Sequence, residues 1–183
     1  MTYNPDRILA RSGDNCRMDT GDVLLLFDHL YWMRDRVLAA AEAVPQALTS
    51  DDPVTIRDLR ATLVHELDVE WSWRERLRGD PDGIWQLPDA DLKPQNFASL
   101  DEIVQHWQRD EGLMREWLAG LTTEQLNSRW YLEGPDGHTL FHHLLHIYTH
   151  GIQQLSDAAV LLTRAGTSPG ELDFGEFIRH RAT

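Results

Sequence analysis

One cysteine in 183 residues, Cys16, leaves no partner for an internal disulfide and no basis for a multi-cysteine zinc site. A lone thiol fits a reducing compartment, and the sequence reads as cytoplasmic. No apolar run nears the roughly 18 residues of a membrane span, and the first residues lack a basic-then-apolar leader pattern. No membrane association is therefore expected. Positive charge is scarce as well: 17 Lys and Arg face 30 Asp and Glu, and a net charge of −13 works against a general grip on phosphate backbones. Nucleic acid is excluded as a class of partner, which leaves a small-molecule substrate. Internal repeats and low-complexity tracts are absent too, so residues 1–183 read as one domain with enough length for a real core.

A local absence points to the site. From Leu140 to Ala159 there is no Lys, Arg or Glu, and Asp157 is the only charge. Within that stretch His142, His146 and His150 recur at i, i+4, i+8, which at about 100° per residue makes one slowly winding stripe on a helix. Leu144, Leu145, Tyr148, Ile152, Leu155, Ala159 and Leu162 form the apolar face across from it. A solvated face would carry charge, so the stripe reads as a polar interior turned toward other helices, where neutral imidazoles can converge on a cation.

The rest of the chain supplies helices for that interior. Residues 1–18 have no clear period and read as an irregular lead-in. A first helix runs from about Asp19 and ends before Pro45, with His29 as a packing or hydrogen-bonding residue. Thr55 and Asp58 have the spacing of a capping box that opens a second helix, closed at Gly79. On it His65 lies at the margin of the apolar stripe, while Glu66 and Glu70 fall near its centre and need a partner such as His65, a metal or an Arg. Residues 79–97 are rich in Gly, Pro and Asp and read as a long loop over one end of the bundle. Ser99 caps a third helix that carries His106 on its surface, and residues 121–126 add a short helical turn. Gly134-Pro135-Asp136-Gly137 reads as a turn between two short strands. Thr139 caps the His-bearing helix, which ends near Gly166, and the tail, residues 167–183, packs Phe174, Phe177 and Ile178 at a dimer contact.

The fold class is all-α: a four-helix bundle with long connections and a short β-hairpin before the last long helix. Sites in such bundles are built from facing helices, so the stripe needs a partner. His65, in the middle of the second helix, is the best candidate.

These segments resemble the DinB-like superfamily of four-helix-bundle proteins. The resemblance is carried by LFDHLYWMRDRVLAAA, by DLRATLVHELDVEWSWRERLRG, and by LLHIYTHGIQQLSDAAVLLTRAGTSPGELDFGEF. It implies a metal-dependent protein with a three-His site, often dimeric, whose relatives include thiol-dependent transferases and isomerases using mycothiol, bacillithiol or glutathione. Residue by residue, it puts His65 at the ligand position of the second helix and His150 at one of the late helix. In the commoner pattern a further His, then Arg, follows four residues on, where this chain has Gln154 and Leu155. The third ligand is then His146, one turn earlier, or Gln154; imidazole binds borderline metals better than a carboxamide, which favours His146.

The expectation is a divalent metal, zinc or nickel first, on His65, His146 and His150. Such an ion would hold a low-molecular-weight thiol as thiolate for transfer or isomerisation, or activate water for hydrolysis. Trp73 and Trp85 would wall the pocket, and Glu66 or Glu70 would serve as base or orient His65. The rival class is a non-enzymatic dimeric bundle that binds metal or ligand without turnover.

Overall fold

The computed structural model describes residues 18–49, 54–79, 92–128 and 138–182. The lead-in with Cys16, the Gly134–Gly137 turn and Trp85 lie outside them. Six helices are present among the described residues: α1 (Thr20–Glu42), α2 (Leu59–Arg78), α3 (Leu100–Ala119), α4 (Thr123–Leu126), α5 (Leu140–Arg164) and α6 (Phe174–Arg181). Single 3-10 turns sit at Pro45–Thr49 and Pro94–Asn96. The described residues hold no strand, and none of their helices is long and apolar enough to cross a membrane.

Local chemistry starts and stops these helices. Asp19 with Asp22, and Thr139 with His142, close reciprocal capping boxes that satisfy two otherwise orphaned amides at each start. Ser99 accepts from the Glu102 amide at the start of α3. The start of α2 differs from expectation. Asp58 is the cap, accepting from the Ala61 amide at 2.7 Å, while the Thr55 hydroxyl is spent locally on the Arg57 carbonyl. At the far end of α5 the Gly166 amide donates to the Thr163 carbonyl and the Thr167 amide to that of Leu162, with Gly166 at φ 97°. This is the glycine-dependent C-terminal closure that a side chain would strain.

Cross-helix pairs fix the directions. Arg115 with Asp28 and Glu111 with Arg34 run α1 and α3 antiparallel. Trp107 with Glu70 and Asp110 with Arg74 run α2 and α3 parallel. His65 with His150 and Trp73 with His146 run α2 and α5 antiparallel. Since α5 packs on α1 and α2, and α3 does the same from the other side, the four long helices form a ring ordered α1, α3, α2, α5 with up-down-down-up sense. Leu30, Val37, Leu63, Leu67, Ile103, Trp107, Met114, Leu144, Ile147 and Leu155 fill its centre.

That topology revises the reading of residues 79–97. Parallel neighbours must be joined end to opposite end, and a 20-residue helix is about 30 Å long, so residues 92–97 lie back along the bundle rather than over the end where α2 stops. The Leu92 amide shows this, donating to Asp68 midway along α2. Phe97 then packs edge-on to His106, which is half-buried rather than on the surface.

The tail carries a helix that the sequence reading did not place. Asp173 caps α6, and Phe177 turns inward against Trp32 and His29 of α1, whereas Phe174 and Ile178 stay exposed. His29 is the hydrogen-bonding residue expected, paired with the Tyr148 hydroxyl at 2.9 Å and the Leu172 carbonyl at 3.0 Å.

Candidate functional site

The α2–α5 seam brings His65 and His150 together. Their Nε2 atoms are 3.3 Å apart and their rings meet edge to face. An N–H···N hydrogen bond has that length, and so does the edge of a tetrahedron whose nitrogens lie about 2.0–2.1 Å from a central ion. Burial lowers the basicity of both rings. His150 falls to about 4, with His65, His146 and Arg57 adding to the effect, and His65 falls in the same direction with Arg57 contributing. Both are neutral imidazoles at neutral pH, the form that binds metal.

His150 is held from behind. Its Nδ1 lies 2.6 Å from Oε2 of Glu66, a residue with no exposed surface. Burial, reinforced by Glu70, raises the Glu66 carboxyl well above its ordinary range. Glu66 serves His150 and not His65, its sequence neighbour, because adjacent helical positions point about 100° apart. The other oxygen, Oε1, has no hydrogen-bond partner among the described residues.

His146 does not join the pair. It is exposed, its ring centre is 6.1 Å from that of His150, and it stands edge-on to Trp73 at 5.0 Å. His142 is exposed too, its Nδ1 accepting from the Thr139 amide in the capping box. The polar-interior reading of the stripe thus holds for His150 alone. Each i+4 step advances about 40° around the helix, so three such residues span about 80°, and only the last reaches the seam. The buried face of α5 turns accordingly onto Ile147, Gly151, Gln154 and Ala158, with Leu145, Tyr148, Ile152 and Ala159 at its margins. Gln154 is buried, and its Oε1 has no partner among the described residues.

Among the described residues, no three His, Cys, Asp or Glu side chains converge as a complete metal site. The donors nevertheless suit a divalent ion in type, and His65 and His150 suit it in spacing. His146 is the donor that stands apart. Trp73 lies beside these histidines, its ring stacked on His143 at 5.5 Å and the Arg76 guanidinium 5.3 Å from its own ring centre.

Glu70, one turn beyond Glu66, takes its partners from α1 and α3 instead. Tyr31 donates its hydroxyl to Oε1 and Trp107 its indole N–H to Oε2 at 2.9 Å, with Arg34 over both rings. Burial and nearby Asp110 lift its pKa to about 7 against the pull of those two donors. Asp110 is itself paired with buried Arg74.

Sequence reasoning missed Gly151. A Cβ there would meet Leu30 Cδ1 at 2.5 Å and Glu66 Oε1 at 2.6 Å, so its bareness lets α5 close on the carboxyl. The available signal was a glycine in a helix interior, which costs about 1 kcal/mol relative to Ala and needs a packing reason.

Comparison with protein families gives a match to the model described as DinB family over residues 18–181. No curated protein matches the chain.

Proposed function

From the premise that this chain belongs to the DinB family, we propose that it is a metal-dependent protein whose centre is built on His65 and His150, with His146 as third donor. The single observation that supports this most is the opposed Nε2 pair at 3.3 Å, with both rings neutral and Nδ1 of His150 engaged from behind. Two imidazoles that only filled core would not need a buried carboxyl to orient one of them.

A divalent ion there would supply Lewis acidity, lowering the pKa of a bound thiol or water. The protein's own part is to bind and orient. Glu66 holds the His150 ring, and Trp73 offers an apolar wall beside His143 and His146 for an electrophilic small molecule. We prefer transfer or isomerisation with a low-molecular-weight thiol over hydrolysis, on the resemblance to thiol-dependent relatives. A cytoplasmic homodimer belongs to the same proposal, with exposed Phe174 and Ile178 as its apolar contact. The exposure of His146 favours one second reading, a bundle that binds metal or ligand without turnover.

Metal content of the wild type and of His65→Ala, His146→Ala and His150→Ala, purified without chelator, tests the site. One ion per chain in the wild type, with loss in each variant, is expected; retention in His146→Ala would move the third position to Gln154 or solvent. Incubation of the loaded protein with a model electrophile and glutathione, bacillithiol or mycothiol then separates thiol transfer from ester hydrolysis and from binding alone.

A further inference from the structure

We infer that Glu66, seated against Gly151, is the positioning residue that decides which nitrogen of His150 is presented to a ligand. The inference rests on the metal reading above and extends it to a residue outside the donor set. An imidazole can turn about its own axis and offer either nitrogen, and a ring at a seam has nothing but its neighbours to choose between them. Here Nδ1 is taken by Glu66 Oε2 at 2.6 Å, so Nε2 is the atom turned to His65.

Three features argue that the carboxyl is there for this purpose. Glu66 is completely buried, where an apolar side chain would fill the space without desolvating a polar group. Its single described partner is His150, and Oε1 is left without one, which is an expensive arrangement if stability were the only gain. The approach is also allowed on the opposite helix by Gly151, next to His150 in sequence, since a Cβ there would lie 2.6 Å from Oε1 and 2.5 Å from Leu30 Cδ1, and one of them would have to move. Carboxyl, imidazole and bare glycine thus form one device across the α2–α5 seam.

The test compares Glu66→Leu, which keeps the volume and removes the contact, with Glu66→Gln, whose carboxamide still reaches Nδ1. Cobalt(II) affinity and its visible absorption are read beside urea unfolding of the metal-free proteins. Glu66→Leu is expected to weaken cobalt binding by about 10- to 100-fold with altered absorption and no loss of unfolding midpoint, and Glu66→Gln to stay within a few-fold of wild type. Equal cobalt affinity in wild type and Glu66→Leu overturns the inference. So does a parallel fall of stability and affinity in both variants, which would make Glu66 structural. If wild type binds no cobalt, the metal reading fails by itself, and nitrogen-15 spectra of the His150 ring decide the positioning role. A changed Nδ1 signal in Glu66→Leu upholds it, and an unchanged one removes it.

Discussion

Two glutamates one turn apart on α2 are equally buried and differently used. Glu70 faces α1 and α3, where both oxygens are taken by donors from separate helices; Glu66 faces α5, where one oxygen meets an imidazole and the other has no described partner. The first arrangement satisfies a polar group and ties three helices together. The second leaves polarity unspent beside the two opposed histidines. Burial alone therefore does not mark a functional carboxyl, and the completeness of its partners separates the two cases.

The contrast breaks most visibly in stability. Glu70→Ala opens a cavity and strands the Tyr31 hydroxyl and Trp107 N–H, so it is expected to cost about 3–4 kcal/mol in urea unfolding. Glu66→Ala removes a group with one partner and is expected to cost about half of that or less.

A smaller effect sharpens the comparison through pH. Glu70 in the folded chain keeps its proton to about 7, whereas unfolding returns it to its ordinary 4.5. Between those values the folded state holds more protons, so this group makes stability fall as pH rises, by roughly 3 kcal/mol at most, and then level off. Glu66, raised as well, acts in the same sense. His150, lowered to about 4 from 6.5, acts oppositely and raises stability across that interval. Subtracting the wild-type curve from that of Glu70→Gln isolates the Glu70 contribution. The difference is expected to grow in favour of the variant from pH 4.5 to 7 and to stay constant above.

The smallest change belongs to His146. Because its side chain is exposed and outside both carboxyl networks, His146→Ala is expected to shift unfolding by no more than about 0.5 kcal/mol, measured by the same denaturation. A larger loss would mean that its contact with Trp73 is part of the core.

Much of this is legible in the sequence. Ser99 and Thr139 cap where their spacing says they should, and the all-α bundle with long connections follows from apolar periodicity. Glu66 and Glu70 stood out as carboxyls at core positions, and both are fully buried. Which helix each one faces was not readable, because periodicity gives the buried side of a helix but not the neighbour that covers it. The sequence therefore offers His65, a metal or an Arg as partners for either carboxyl, and the His150 contact of Glu66 is not among them. The same limit placed His146 inside, since a four-residue spacing drifts off the seam by about 40° per step. The helix α6 was hidden by Pro169, Gly170 and Gly175, which mask an eight-residue segment whose cap, Asp173, is its clearest local signal.

The up-down-down-up ring also orders events in time. The His65–His150 contact spans 85 residues of chain and the His29–Tyr148 contact 119, and both wait for α5, the last long helix to be synthesised. Until then α1, α2 and α3 have only one another, with the Glu70 network as their common tie and Glu66 uncovered. Chain order alone thus lets the three helices around Glu70 meet before the seam that would hold a ligand can close.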